Sequence, residues 1–201
     1  MESLTNYIDK GGLIFLVLVC ISIFTFAIVI FKVIEYSFFN RLSLSFLKDN
    51  LDSYSSFDGL KNEVISYQNE EQDSFIIELL KVVEMDRKTN SNNHTKSFLE
   101  DEFQKSERFL PSLEIISQTS PLIGLLGTVV GMIDSFNQLE LGGSVVDPSV
   151  LAGGIWTALL TTAMGLIVAI PALIFYYFFD KKISVDQNRI ESAALRILKL
   201  N

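Results

Sequence analysis

The chain has 201 residues, 49% of them hydrophobic and only 20% charged, with a mean hydropathy of +0.35, a balance too apolar for an ordinary soluble domain. Sixteen Lys plus Arg against 24 Asp plus Glu leave a formal net charge of −8, and without a basic patch to neutralise phosphates nucleic acid is not an expected partner. A single cysteine, Cys20, offers neither a disulfide framework nor a Cys-rich metal site.

The first apolar window, Gly11 to Phe31, holds 21 residues without a charge. As helix it measures about 32 Å, close to the roughly 30 Å of a hydrocarbon core, and it predicts a transmembrane helix over 11–34 behind a short N-terminal stretch, 1–10. Only Lys10 precedes it, the run exceeds the about 7–15 residues of a signal-peptide core, and no A-x-A-like site follows, so it is expected to be retained. Residues 35–110 are expected to form two or three helices. Phe75, Ile76, Leu79, Leu80 and Val83 recur at helical spacing, and Lys88 to Thr95, KTNSNNHT, reads as a polar break. So few apolar residues bury little core alone, so the segment should pack on extensions of the spans or on neighbouring subunits.

A second charge-free window runs from Ile115 to Ile133 and a third from Pro148 to Phe179, about 28 Å and about 48 Å of helix. They predict spans over 111–136 and 150–179, joined by a loop over 137–149. The third window exceeds one bilayer. It is expected to begin as a loop or interfacial segment over Pro148 to Gly154, then to tilt, bend at Pro171 or run on beyond the lipid. Over 180–201, Ile183, Ile190, Ala194, Ile197 and Leu198 predict a short amphipathic helix.

Lysine and arginine set the expected orientation. Ten of the sixteen lie from Lys32 to Arg108 and five from Lys181 to Lys199, whereas 134–147 holds none. By the positive-inside rule the middle segment and the tail are cytoplasmic, and the N-terminus and the second loop are outside.

Along the second span Ser120, Gly124, Gly127, Thr128, Gly131 and Ser135 fall on one stripe. Along the third, Gly154, Ala158, Thr161, Thr162, Gly165 and Ala169 do the same. Small faces of this kind pack helices closely, while the hydroxyls of Thr157, Thr161 and Thr162 also suit a face that meets water or another helix's polar group. No Asp, Glu, Lys, Arg or His lies in any of the three windows, so a charge-carrying path would need a carboxylate from a partner.

The stretches SPLIGLLGTVVGM, Ser120 to Met132, and GGIWTALLTTAMGLIVAIP, Gly153 to Pro171, resemble the MotA/TolQ/ExbB proton channel family, and three spans favour its ExbB/TolQ branch. The resemblance implies an all-α subunit of the bacterial inner membrane. Three transmembrane helices with long cytoplasmic extensions would assemble as a pentamer around an ExbD/TolR-like single-span protein whose buried aspartate carries the proton. A TonB/TolA-like protein spanning the periplasm would pass the motion to the outer membrane, in TonB-type import or Tol-Pal-type maintenance. The family's pore threonines match Thr128 and Thr162, with Thr161 and Thr157 beside them. Gly124, Gly127, Gly131, Gly154, Ala158, Gly165, Pro121 and Pro171 are read as packing positions. Where well-known members carry a glutamate, in E-A-L-I-A-T-A, this chain has Thr157. That departure leaves sodium beside the proton as coupling ion, since hydroxyls and carbonyls are oxygen ligands for a hard cation. No cofactor is expected.

Pro121 and Pro171 are read as bends, Glu114 and Asp134 as interfacial anchors, and Trp156, Tyr176 and Tyr177 as interfacial or subunit contacts. His94 is read as a solvated loop residue. No Walker A, nucleophile elbow or HExxH occurs, so no enzyme activity is expected. Two rivals to an ion-driven motor subunit are a scaffold that organises a partner complex without ion flow and a self-sufficient transporter, the latter disfavoured by the missing inverted repeat and intramembrane charge.

Overall fold

A computed structural model describes residues 2–39, 56–67, 74–141 and 148–200. The described residues form six helices: α1 (Glu2–Phe39), α2 (Phe57–Tyr67), α3 (Ser74–Thr89), α4 (Asn93–Glu107), α5 (Leu110–Leu141) and α6 (Pro148–Leu198). Much of the expected loop 137–149, at 142–147, and parts of the expected segment 35–110, at 40–55 and 68–73, lie outside the described residues.

Three stretches are long and apolar enough to cross a membrane, Gly12–Glu35, Leu110–Leu141 and Leu151–Leu198. The secondary structure of the described residues is all helical, as in a multi-pass membrane protein. Gly12 breaks α1 with φ 61° and ψ −165°, a left-handed backbone value that suits a residue without a Cβ. No Gly or Pro follows until the helix has crossed. Pro121 and Pro171 sit inside α5 and α6, each removing one ladder donor without ending its helix.

Two expectations at the third span are corrected. The helix starts at Pro148, so 148–154 is its first turns rather than a loop; proline is pre-organised for a first helical position, where its missing N–H costs nothing. The tail from Lys181 is not a separate helix, because α6 runs unbroken to Leu198 through a stretch without Gly or Pro.

The chain divides into two compact units, Met1–Phe31 with Phe109–Phe178, and Lys32–Arg108 with Phe179–Asn201. In the first, Ile28 and Val29 of α1, Leu113 and Ile116 of α5, and Val168 and Ala172 of α6 form a core, and the rings of Phe31 and Phe109 meet edge to face at 5.5 Å. Only 28%, 28% and 33% of the three apolar windows is buried, so most of their surface needs lipid or another chain to cover it.

The second unit has its own core. Phe57 and Leu60 of α2, Ile76, Leu79 and Val83 of α3, and Leu99 of α4 pack with Ile190, Ala194 and Ile197 of α6. The guanidinium of Arg87 lies 4.6 Å from the ring centre of Phe57, and Lys61 reaches Glu84 at 2.6 Å. Bonds from Lys61 and then Lys88 hold the Glu84 carboxyl below its usual range.

The polar break shrinks to 90–92. Asn90 takes a left-handed φ of 50°, and the Ser91 N–H donates to the Asp86 carbonyl at 3.1 Å, a Schellman closure of α3. Asp86 then caps the next helix. Its fully buried carboxylate accepts from the backbone N–H of His94 (3.2 Å) and of Thr95 (2.7 Å), and lies 2.7 Å from His94 Nδ1. The preceding residue, Asn92, makes no side-chain cap, so a residue of α3 supplies the acceptor that a helix start needs. His94 is therefore not a free loop residue but part of the first turn of α4.

Burial alone would raise the Asp86 carboxyl, yet the hydrogen bonds from Thr95 and His94 outweigh it and leave it below the usual value. A depressed carboxyl contributes stability that is complete above the unfolded value, about 3.9, and is lost as pH falls through the lower folded value. Replacing Asp86 by Ala should cost about 1–2 kcal/mol, the range for a lost helix N-cap. Denaturant unfolding of the full chain in detergent should show this loss at pH 7 and show it shrinking as pH drops below about 4; an equal loss at both would contradict the capping role.

Candidate functional site

Helices α5 and α6 meet along their small residues, in antiparallel register. A Cβ added at Gly165 would lie 2.6 Å from the Ser120 carbonyl oxygen, one at Gly124 would lie 2.8 Å from the Thr161 carbonyl oxygen, and one at Gly131 would lie 3.0 Å from the Ala158 Cβ. Added at Gly127 it would fall on the Thr161 side chain, and at Gly154 on Ser135. Spacings of four, three, four and four residues in α5, and of four, three and four in α6, put each set on one face of its helix. The backbones touch because glycine leaves nothing between them.

Hydroxyls line this seam and its edge. Thr161 is 2% exposed; its Oγ1 lies 2.7 Å from the Ala158 carbonyl oxygen and 3.2 Å from that of Gly124. Thr162, half-buried, donates to the same Gly124 carbonyl at 3.1 Å. Thr128 donates back to Leu125 at 2.5 Å and Thr157 back to Gly153 at 3.0 Å. Ser135 donates to Gly131 at 2.7 Å, while the buried Ser120 hydroxyl has no protein partner.

At about 100° per residue, Thr128 is one step past the Gly127 seam position and Thr162 one step past Thr161. Each lies about 60° off the seam centre, and in an antiparallel pair those offsets fall on the same side. Thr157 lies off the seam in the other direction. The fold thus brings Thr128 and Thr162 to one side of the pair, keeps Thr161 inside it, and puts Thr157 on the opposite side. Pro121 is half-buried and Pro171 exposed, both within continuous helices.

No Asp, Glu, Lys, Arg or His lies on this face, since 115–133 and 148–179 contain none. Among the described residues no group of three or more His, Cys, Asp or Glu side chains is placed to hold a metal ion. All four threonine hydroxyls direct their proton to a carbonyl of this chain, which leaves the oxygen lone pairs of Thr128, Thr157 and Thr162, though not of the buried Thr161, to accept from outside.

The sequence profile described as the MotA/TolQ/ExbB proton channel family matches residues 67–192, from the end of α2 through most of α6. The chain belongs to that family. It is similar to an ExbB homologue of Methanothermobacter thermautotrophicus, 29% identical over 186 residues, covering 90% of this chain and 64% of the relative. The biopolymer transport protein ExbB of Pseudomonas putida is 38% identical over 88 residues, covering 44% of this chain and 26% of that protein. The Tol-Pal system protein TolQ of Pseudomonas aeruginosa is 43% identical over 81 residues, covering 40% and 35%. The matched part of the chain thus spans under two thirds of each of these relatives.

The seam makes a stability prediction. Gly124→Ala and Gly165→Ala each press a methyl against backbone oxygen and should cost about 1–3 kcal/mol, as overpacking does. Gly153, whose added Cβ would meet nothing within 4 Å, should tolerate Ala at no cost. Thermal melts of the three full-length variants in detergent would reverse this account if Gly153→Ala proved the most damaging.

Proposed function

We propose that this chain is the channel-forming subunit of an ion-driven motor of the bacterial inner membrane. In this reading copies of the chain, five by family resemblance, surround an ExbD/TolR-like single-span partner. A TonB/TolA-like protein carries the work toward the outer membrane, for import or envelope maintenance. The N-terminus lies outside and the C-terminus in the cytoplasm, as the lysines and arginines argue.

The observation that carries the reading is a hydroxyl-bearing side of the α5/α6 pair, with Thr128 and Thr162 on it, in stretches, 115–133 and 148–179, that lack any charge of their own. Such a side serves a carboxyl brought by a partner but cannot replace it. Thr128 and Thr162 act as path residues. With their protons turned to their own chain, they accept directly from a protonated, neutral carboxyl; an ionised one needs a hydroxyl to turn and donate. The hydroxyls therefore distinguish the two states of the carrier. Thr157, on the other side of the pair, belongs to a contact with a neighbouring copy in this arrangement. The proton is the coupling ion, and sodium is the second candidate because the face offers only oxygen ligands. One charge crossing 100 mV yields about 2.3 kcal/mol, so several ions must cross per mechanical step that does substantial work.

The test is co-purification with the single-span partner, followed by ion uptake in liposomes for the wild-type pair, the partner's Asp→Asn form, Thr128→Val and Thr162→Val. Proton uptake should vanish in the Asp→Asn form and fall about ten-fold or more in the threonine variants, with assembly intact. Sodium flux without proton flux would change the ion only. An assembled complex that passes neither ion would overturn the channel reading in favour of a scaffold.

A further inference from the structure

We infer that Thr161 is a positioning residue for Thr162: the two hydroxyls share the Gly124 carbonyl, so that Thr162 can leave it for an incoming group while Thr161 keeps it capped. This rests on Thr162 being a path residue, as proposed above.

The geometry separates the two threonines. Thr161 is 2% exposed and out of reach of any ligand, whereas Thr162 is half-buried at the edge of the seam. Thr161 has two acceptors, Ala158 O at 2.7 Å and Gly124 O at 3.2 Å; a hydroxyl has one proton, so the nearer carbonyl holds it at rest. Thr162 has one, Gly124 O at 3.1 Å. When Thr162 turns outward, Thr161 needs only to rotate its O–H from Ala158 to Gly124. No heavy atom moves.

Neither carbonyl is stranded by the exchange. In the helical ladder the amide of residue i+4 serves each of them, Thr162 for Ala158 and Thr128 for Gly124, so what changes hands is the second lone pair. The Thr161 side chain is held in place for this. It fills the space that Gly127 leaves, so a Cβ at Gly127 would collide with it, and β-branching keeps its χ1 stiff. A buried acceptor that loses a hydrogen bond costs free energy, and the Thr161 hydroxyl shifts that loss from the Gly124 carbonyl beside Thr162 to the Ala158 carbonyl of its own helix.

The experiment compares Thr161→Val, Thr161→Ser, Thr162→Val and the double Val variant, all full length, for thermal midpoint in detergent and for ion uptake in the liposome complex. Thr161→Val keeps the shape and loses the proton; it should slow uptake about five-fold, the size of one neutral hydrogen bond, with assembly intact. Thr161→Ser should restore uptake because it keeps the hydroxyl. In the melts each single Val variant leaves one hydroxyl for Gly124, so the double variant should lose more than the sum of the singles. Additive midpoint losses would overturn the sharing, and so would wild-type uptake in Thr161→Val while Thr162→Val is inactive. Wild-type uptake in Thr162→Val would instead sink the path-residue reading beneath it.

Discussion

The backbones of α5 and α6 touch, and that contact determines the membrane part of the fold. In lipid the hydrophobic effect does not pull helices together, because acyl chains are as apolar as leucine. What remains is close van der Waals contact and interhelical hydrogen bonding. Both occur here at one place: glycine faces glycine at Gly124 and Gly165, and the Gly124 carbonyl takes hydroxyl bonds from the opposite helix. The large side chains, Leu122, Leu126, Leu159 and Ile167 among them, are left on the outside, where lipid or another chain covers them.

Much of this was legible in the sequence, for a physical reason. Water-free surroundings force spans to be helical and charge-free, so three uncharged windows declare themselves, and a close helix contact needs small residues at helical spacing, so the stripe from Ser120 to Ser135 declares itself as well. Of the three outcomes open for the third span, tilting, bending at Pro171 or running on beyond the lipid, the sequence did not choose. A membrane helix absorbs the one donor that Pro171 removes, and nothing after it stops the helix before Leu198, so the tail is no separate helix. The pairing of Asp86 with His94, eight residues away across a left-handed turn at Asn90, was not legible either; periodicity describes one helix at a time and says nothing of a side chain reaching into the next one.

The site shows the same division. Hydroxyl density pointed to Thr157, Thr161 and Thr162 and the family resemblance to Thr128 and Thr162, but spacing alone does not place the four relative to one another. Only the antiparallel register does, because it defines a seam centre from which each residue's angle can be measured. Thr161 falls inside, Thr128 and Thr162 on one side, Thr157 on the other. Adjacent threonines 100° apart on a helix thus acquire different surroundings, Thr161 confined inside the seam and Thr162 half-exposed at its edge.

A face made only of hydroxyls and carbonyls has a chemical consequence. It holds no fixed charge, so it binds neither a bare proton nor a carboxylate strongly. In the motor proposed above, a deep trap would stall a cycle that must bind and release at each step, whereas groups that swap one neutral hydrogen bond for another change the energy by only about 1 kcal/mol per exchange.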